Sequence, residues 1–238
     1  MWQARFYQAL PKIVDSHKSA RWVFLTLTIR NCEITDLGAT LTAMNAAFAK
    51  LKDRKEFKPV LGWVRTTEVT RGVDGGAHPH FHTLMMVPSY FFTSAYVKQT
   101  RWVEVWAECL RVNYLPSVDI RTVKPKPSKG GLELSFSEYL QSAVSETLKY
   151  AVKPSDMVAD PAWFLELTKQ SHKRRFVATG GVLKDILKIA DETDADLALA
   201  DSDKFVEDDG SRIAFDWASE KKKYKRTPKH DKTKPEPD

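Results

Sequence analysis

The chain has 238 residues, of which 42% are hydrophobic and 11% aromatic, so it can bury a core and wholesale disorder is excluded. No apolar run approaches the roughly 18 residues of a membrane-spanning helix, and the N-terminus lacks a secretion-signal pattern. Two cysteines without a CxxC spacing exclude a disulfide scaffold and a thiolate zinc cage. We therefore expect a cytoplasmic protein with no membrane partner.

The net charge of +6 is distributed unevenly along the chain. Residues 1–190 carry a net charge of +10, residues 191–209 carry −8 and residues 221–238 carry +5. A basic body favours a polyanionic partner, usually nucleic acid, although such charge also serves solubility. We expect one domain at residues 1–190, followed by a flexible segment at residues 191–238 that is acidic and then basic.

Strand and helix patterns alternate along the first half of the chain. Residues 22–30 are apolar and β-branched like a buried strand, and apolar residues at helical spacing follow in residues 36–53. Strand, strand, helix and strand patterns then follow in turn, at residues 61–70, 80–87, 94–111 and 117–123. This β-α-β-β-α-β order predicts an α+β fold of the ferredoxin-like or RRM-like type, with an antiparallel sheet and helices on one face. The other face of the sheet would be uncovered and available for function.

Further helices are predicted after the sheet. Residues 136–153 have helical spacing, and Ser135 with Glu138 has the spacing of a capping box. Additional helices are predicted at residues 163–169 and 181–189.

Three histidines lie close together in the sequence HPHFH. His80 and His82 are two apart on a predicted strand, so both point to one face. Pro79 makes His78 a strand-entry residue rather than a third ligand in line. Glu68 lies across the predicted hairpin, and a carboxylate with two imidazoles would accept Mg²⁺ or Mn²⁺. The alternative to a metal site is a set of ordinary polar side chains on the surface.

A tyrosine near the end of the predicted helix has charged neighbours on the same face. Glu146, Tyr150 and Lys153 lie at i, i+4 and i+7. A tyrosine can attack a phosphodiester, and a nearby cation and metal would assist it. An ordinary surface tyrosine with a local ion pair would give the same pattern.

Three segments together resemble the rolling-circle plasmid replication initiators of the HUH endonuclease superfamily. They are FLTLTIRN at residues 24–31, HPHFHTLMMV at residues 78–87 and SETLKYAVK at residues 145–153. The resemblance extends over roughly residues 22–181. It is closest to the branch whose tyrosine motif carries a glutamate four residues earlier.

The resemblance implies a site-specific endonuclease and strand transferase that nicks one strand at a plasmid origin. His80 and His82 would be metal ligands, with Glu68 as the third and His78 as an extra imidazole near the site. Tyr150 would form a 5′-phosphotyrosine and free a 3′-OH. Lys153 matches the lysine of the YxxK motif. Glu146 would activate water to end the round of replication.

The implied partners are single-stranded DNA, origin DNA, and a host helicase and polymerase. No Walker-A sequence is present, so helicase activity must come from another protein. Basic side chains would neutralise backbone phosphates, with a solvated surface as the alternative: Lys124, Lys126, Lys129, Lys173, Arg174 and Arg175.

Two other functions stay open from the sequence. A conjugative relaxase or single-tyrosine transposase belongs to the same superfamily, and a relaxase would place its tyrosine before the histidines, where Tyr7 stands. A noncatalytic RRM-like module would need stacking aromatics on the open sheet face, where this chain predicts Thr26, Thr28 and the histidines instead.

Overall fold

A computed structural model describes residues 2–123, 160–184, 215–218 and 223–226 of the chain. The elements of its main unit are α1 (Trp2–Ser16), β1 (Arg21–Thr28), α2 (Leu37–Lys52), β2 (Gly62–Arg71), β3 (Ala77–Val87), α3 (Gln99–Leu110), β4 (Val118–Thr122), α4 (Pro161–Ser171) and β5 (Val177–Gly181). Short 3₁₀ turns lie at Ile34–Asp36 and Ser89–Phe92.

These five strands form one antiparallel sheet in the order β4-β1-β3-β2-β5. The predicted α+β class is confirmed, and the elements from β1 to β4 follow one another as strand, helix, strand, strand, helix, strand. The central strands are β1, β3 and β2, with β3 in the middle, and the tight connection between β2 and β3 makes these two neighbours along almost their full length. The site residues of both hairpin strands are therefore brought together by local chain connectivity.

The odd-numbered residues of the central strands face α2 and α3. Leu25, Leu27 and Phe81 are fully buried there. α2 presents Met44 and Phe48 to them, a pair at helical spacing. α3 contributes one more apolar stripe: Trp102, Val105, Trp106 and Cys109. This layer is the main core of the domain.

The opposite face of the sheet is half covered by α1, which the sequence analysis did not predict. Phe6, Ala9 and Ile13 lie on one stripe of α1 and pack against apolar residues of the sheet, namely Trp22, Phe24, Val64, Leu84 and Met86. A sheet face with so many large apolar side chains must be covered from water. The expectation of a wholly free second face is therefore wrong, because α1 packs on its apolar half; among the described residues, the polar half lies outside this contact.

The chain returns to the sheet through α4 and β5. α4 agrees with the helix predicted at residues 163–169, and Asp160 caps it by accepting from the backbone N–H groups of Ala162 and Trp163. The helix predicted from residue 181 begins one residue later, because Gly181 ends β5 with φ of +59°. A Cβ at Gly181 would collide with the carbonyl oxygen of Leu61.

A second compact unit spans residues 198–238. Its described part is an antiparallel pair of strands, β6 (Phe215–Ala218) and β7 (Lys223–Arg226), in which Asp216 is opposite Lys225. The sequence analysis predicted no strands in this region. Among the helices that the structure describes, none is long and apolar enough to cross a membrane.

Candidate metal centre

The polar half of the second sheet face is formed by three neighbouring strands. In the register, Glu68 of β2 and Thr28 of β1 lie on either side of His80 of β3, and Thr66 and Thr26 lie on either side of His82. Directly opposed residues of antiparallel strands share a face, so these side chains form one patch. The register thus places Glu68, His80 and His82 on one face of the sheet, as the sequence pattern predicts.

Glu68, His80 and His82 converge on one point. Oε2 of Glu68 lies 3.0 Å from Nε2 of His80 and 2.8 Å from Nε2 of His82. One ligand atom from each of the three lies within 4.8 Å of the others, and no other group of His, Cys, Asp or Glu within the described ranges does so. Their side chains are 22%, 12% and 20% exposed, so a metal ion and a substrate could both reach them.

The second nitrogen of each imidazole has a partner of its own. Nδ1 of His80 lies 3.2 Å from the carbonyl oxygen of His78, which can only accept a hydrogen bond. A neutral imidazole carries one N–H, so His80 cannot donate both to this carbonyl and to Glu68. If Nδ1–H donates to the carbonyl, the lone pair of Nε2 faces the carboxylate of Glu68. A cation bound between them would accept electron density from the lone pair and from the carboxylate. The donor set therefore fits a divalent metal ion.

His82 is oriented in a similar way by β1. Its Nδ1 lies 3.3 Å from Oγ1 of Thr26, and its ring packs 5.5 Å from that of Phe24, measured between centroids. The two ligand rings are nearly perpendicular, with centroids 4.7 Å apart. Packing and hydrogen bonding thus hold both Nε2 atoms toward Glu68.

The electrostatics of the cluster favour a charged carboxylate. In the alternative tautomer, in which each ring carries Nε2–H, hydrogen bonds from His80 and then His82 hold the pKa of Glu68 well below its usual range, and they outweigh the opposing effect of burial. Glu68 is therefore ionised at neutral pH, as a metal ligand must be.

His78 lies beside the triad and is held by a separate network. Its Nδ1 is 2.6 Å from Oδ1 of Asn31, whose amide nitrogen donates to both carboxylate oxygens of Asp74. Burial, with a smaller effect of the neighbouring His80, lowers the pKa of His78. His78 is not one of the three convergent ligands, but its carbonyl orients His80.

Pro79 explains how His78 can precede the triad within the same strand. β3 begins at Ala77, whose backbone exchanges two hydrogen bonds with Cys32, while β1 pairs with β3 only as far as His80. The ring nitrogen of Pro79 therefore faces the side on which β1 has already ended, where the lack of an N–H costs no ladder bond. Sequence analysis placed His78 at strand entry, and the strand includes it.

Several predicted site residues lie outside the described residues. These are Tyr150, Glu146, Lys153, Lys124, Lys126 and Lys129. Of the described basic residues, Lys173 and Arg175 are exposed after α4. Arg174 is engaged in packing α4 on α2, because it donates to the carbonyl of Gln170 and to the hydroxyl of Thr42.

The sequence analysis missed two features near the centre. The first is the network of Asn31 and Asp74, for which the turn sequence around Asp74 was the sole local signal. The second is a stacked pair of Arg30 and Tyr114, whose guanidinium carbon and ring centroid are 3.9 Å apart. Tyr7 is partly buried against the apolar cluster beneath α1.

Fold and site define an α+β protein with a candidate metal centre of two histidines and a glutamate on an antiparallel sheet. The chain belongs to the Rep_1 family of replication proteins, whose sequence model matches residues 1–225. A "Replication protein" of Staphylococcus aureus is 31% identical over 230 residues, covering 91% of this chain and 95% of that protein.

Two further relatives extend the comparison. A "Protein rep" of Streptococcus pneumoniae is 31% identical over 226 residues, covering 91% of this chain and 68% of that protein. A "Protein rep" of a Bacillus species is 35% identical over 192 residues, covering 74% of this chain and 62% of that protein. None of the solved structures matches this chain.

Proposed function

We propose that the protein initiates plasmid replication by nicking one DNA strand at the origin with a divalent metal ion and Tyr150. The convergence of Glu68, His80 and His82 on one point carries this proposal. Membership in a family of replication proteins supports the biological role. Noncatalytic binding of nucleic acid does not require two imidazole nitrogens directed at one carboxylate oxygen.

The three ligands would hold Mg²⁺ or Mn²⁺, which polarises a phosphodiester when bound. Tyr150 attacks the scissile phosphorus through its phenolic oxygen, and the phenolic proton passes to water. The bond between phosphorus and the 3′ oxygen breaks, and that oxygen takes up a proton from water. The products are a 5′-phosphotyrosine and a free 3′-OH, with Lys153 offsetting the charge of the phosphate.

The described chain path is compatible with delivery of Tyr150 to the centre. Arg71, at the end of β2 beyond Glu68, pairs with Asp160 at 2.8 Å. The chain is therefore tied to the site end of the sheet ten residues after Tyr150, a length that spans at most about 35 Å. This contact lies beside the hairpin that carries the ligands.

The proposed reaction needs partners for the rest of the replication cycle. A host polymerase would extend the 3′-OH and a host helicase would unwind the duplex. Glu146 would activate water in the last step, which resolves the covalent link by hydrolysis.

The test is incubation with a labelled single-stranded oligonucleotide library and Mn²⁺, followed by a denaturing gel. We expect a protein-linked DNA band that disappears with EDTA or with Tyr150→Phe. Tyr139→Phe and Tyr7→Phe are matched controls and should keep the band. Glu146→Ala should keep the adduct but lose its hydrolytic release.

Other outcomes would decide between the alternatives. A band lost in Tyr7→Phe and kept in Tyr150→Phe would favour a relaxase-like arrangement. DNA binding without a metal-dependent adduct would favour the RRM-like binding module.

A further inference from the structure

Arg30 and Tyr114 form a stacked pair at the end of the sheet that carries the candidate metal centre. The guanidinium carbon of Arg30 lies 3.9 Å from the centroid of the Tyr114 ring. The backbone N–H of Arg30 also donates to the phenolic oxygen of Tyr114 at 3.1 Å. The ring thus holds the arginine from two sides, while the edge of the guanidinium stays available for hydrogen bonds.

The loop that carries Tyr114 is fastened to β1. Thr28 donates both its backbone N–H and its hydroxyl to the carbonyl oxygen of Ser117, at 3.2 and 2.8 Å. Pro116, which lies between Tyr114 and Ser117 in the sequence, is buried, whereas the neighbouring Leu115 is exposed. The position of the ring is therefore set by the same strand that flanks His80.

Arg30 differs from four other described arginines in its ionic contacts. Four others form ion pairs with carboxylates, namely Arg54, Arg71, Arg101 and Arg121. In the described ranges no carboxylate pairs with Arg30, which is exposed. An ordered cation without an acidic partner is free to bind an anion, and the planar guanidinium matches a phosphate.

Arg30 is also connected to the metal centre. Thr28, the last residue of β1, is opposite His80, and Arg30 lies two residues further along the chain, at most about 7 Å from it. The next residue, Asn31, contacts His78, whose carbonyl lies 3.2 Å from Nδ1 of His80. A nucleotide next to a phosphate bound at the centre would therefore lie within reach of Arg30.

We propose that Arg30, held by Tyr114, binds a backbone phosphate of single-stranded DNA adjacent to the scissile phosphate. This inference rests on the proposed function. The stacked ring reduces the conformational freedom that the arginine loses on binding, so Tyr114 acts as a positioning residue. The contact positions the strand and reads no base sequence.

The experiment measures fluorescence anisotropy of a labelled mixed-sequence single-stranded oligonucleotide in EDTA, so that no cleavage occurs. Arg30→Gln should weaken binding by about 5- to 20-fold and reduce the slope of log affinity against log salt by about 0.7. Arg54→Gln removes the same charge on the helix layer and should bind like the unmodified protein. Tyr114→Leu should give a partial loss with an unchanged circular dichroism spectrum, whereas Tyr114→Phe should keep most of the affinity.

Two results would overturn the inference. One is an Arg30→Gln protein with unchanged affinity and salt slope, and the other is an equal loss in Arg54→Gln, which would indicate general charge attraction. Adduct formation with Mn²⁺ is measured in parallel on the unmodified protein. An adduct with Arg30-independent binding overturns this inference alone, and Arg30-dependent binding without an adduct supports it while contradicting the proposed nicking activity.

Discussion

Glu68 and His80 lie directly opposite each other on β2 and β3, and Oε2 of Glu68 is 3.0 Å from Nε2 of His80. His82, two residues further along β3, approaches the same oxygen at 2.8 Å. One carboxylate oxygen thus serves two imidazoles, an arrangement whose charge and geometry suit a divalent cation.

Removing either imidazole should remove the metal site. We expect His80→Ala and His82→Ala each to lower Mn²⁺ affinity and Mn²⁺-dependent cleavage by more than about 100-fold, since a ligand matters at least as much as the groups that orient it. Titration of Mn²⁺ followed by electron paramagnetic resonance measures the affinity, and the adduct gel measures cleavage. His172→Ala alters an exposed histidine after α4 and should change neither. Full cleavage by either ligand variant would place the metal elsewhere.

Thr26 should contribute to metal affinity without touching the metal. Its hydroxyl lies 3.3 Å from Nδ1 of His82, so Thr26→Val leaves the volume of the side chain but frees the ring to rotate. Loss of such an orienting partner lowers metal affinity by about 10-fold. Titration of Mn²⁺ checks this, with Thr168→Val on α4 as the control. An unchanged Mn²⁺ dissociation constant in Thr26→Val would show that packing alone orients His82.

An ion pair between the buried Glu56 of the α2–β2 connection and the partly exposed Arg101 of α3 should make stability depend on pH. The side chain of Glu56 is 3% exposed and accepts a hydrogen bond from Nε of Arg101 at 2.9 Å. Burial raises the pKa of Glu56, but its own backbone N–H and Arg101 outweigh burial, so the pKa lies below the ordinary value. The pair therefore stabilises the fold above the unfolded carboxyl pKa of about 4.3, and this stabilisation is lost as pH falls through the folded pKa.

Urea unfolding of Glu56→Gln tests that relationship. At pH 7 the substitution should lower the free energy of unfolding by about 2 kcal/mol, and the difference from the unmodified protein should shrink below pH 4. Glu104→Gln also removes a partner of Arg101, but an exposed one, and should cost less than about 0.5 kcal/mol. A pH-independent difference would mean that Glu56 acts through packing alone.

α1 should be an integral part of the domain. Phe6 is 1% exposed and its ring packs edge-on against that of Trp22, with centroids 6.2 Å apart. Phe6→Ala should lower the free energy of unfolding by about 3 to 5 kcal/mol, whereas Lys12→Ala, on the exposed side of α1, should change it by less than about 0.5 kcal/mol. A loss below about 1 kcal/mol for Phe6→Ala in urea unfolding would mean that α1 leaves the sheet readily.

The ligand cluster was predictable because it depends on local regularities. Residues two apart on a strand share a face, and a short glycine-rich turn makes β2 and β3 neighbours, so the sequence predicts that His80 and His82 share a face and that Glu68 lies across the hairpin. The register of the hairpin then places Glu68 opposite His80. The network of His78 with Asn31 and Asp74 was not predictable. It joins two turns 43 residues apart in sequence, and no local pattern specifies such a contact.

The sequence by itself determined the order of strands and helices from β1 to β4, the main apolar stripes and the face on which the histidines lie, since side-chain periodicity fixes these within one element. The tertiary structure decided which half of that face stays open. α1 covers the half that carries Trp22, Phe24 and Leu84, because large apolar side chains must leave water, and it leaves the polar half to Glu68 and the histidines. It also brought Arg30 onto Tyr114, a pairing between segments 84 residues apart that depends on how α3 returns the chain to β4.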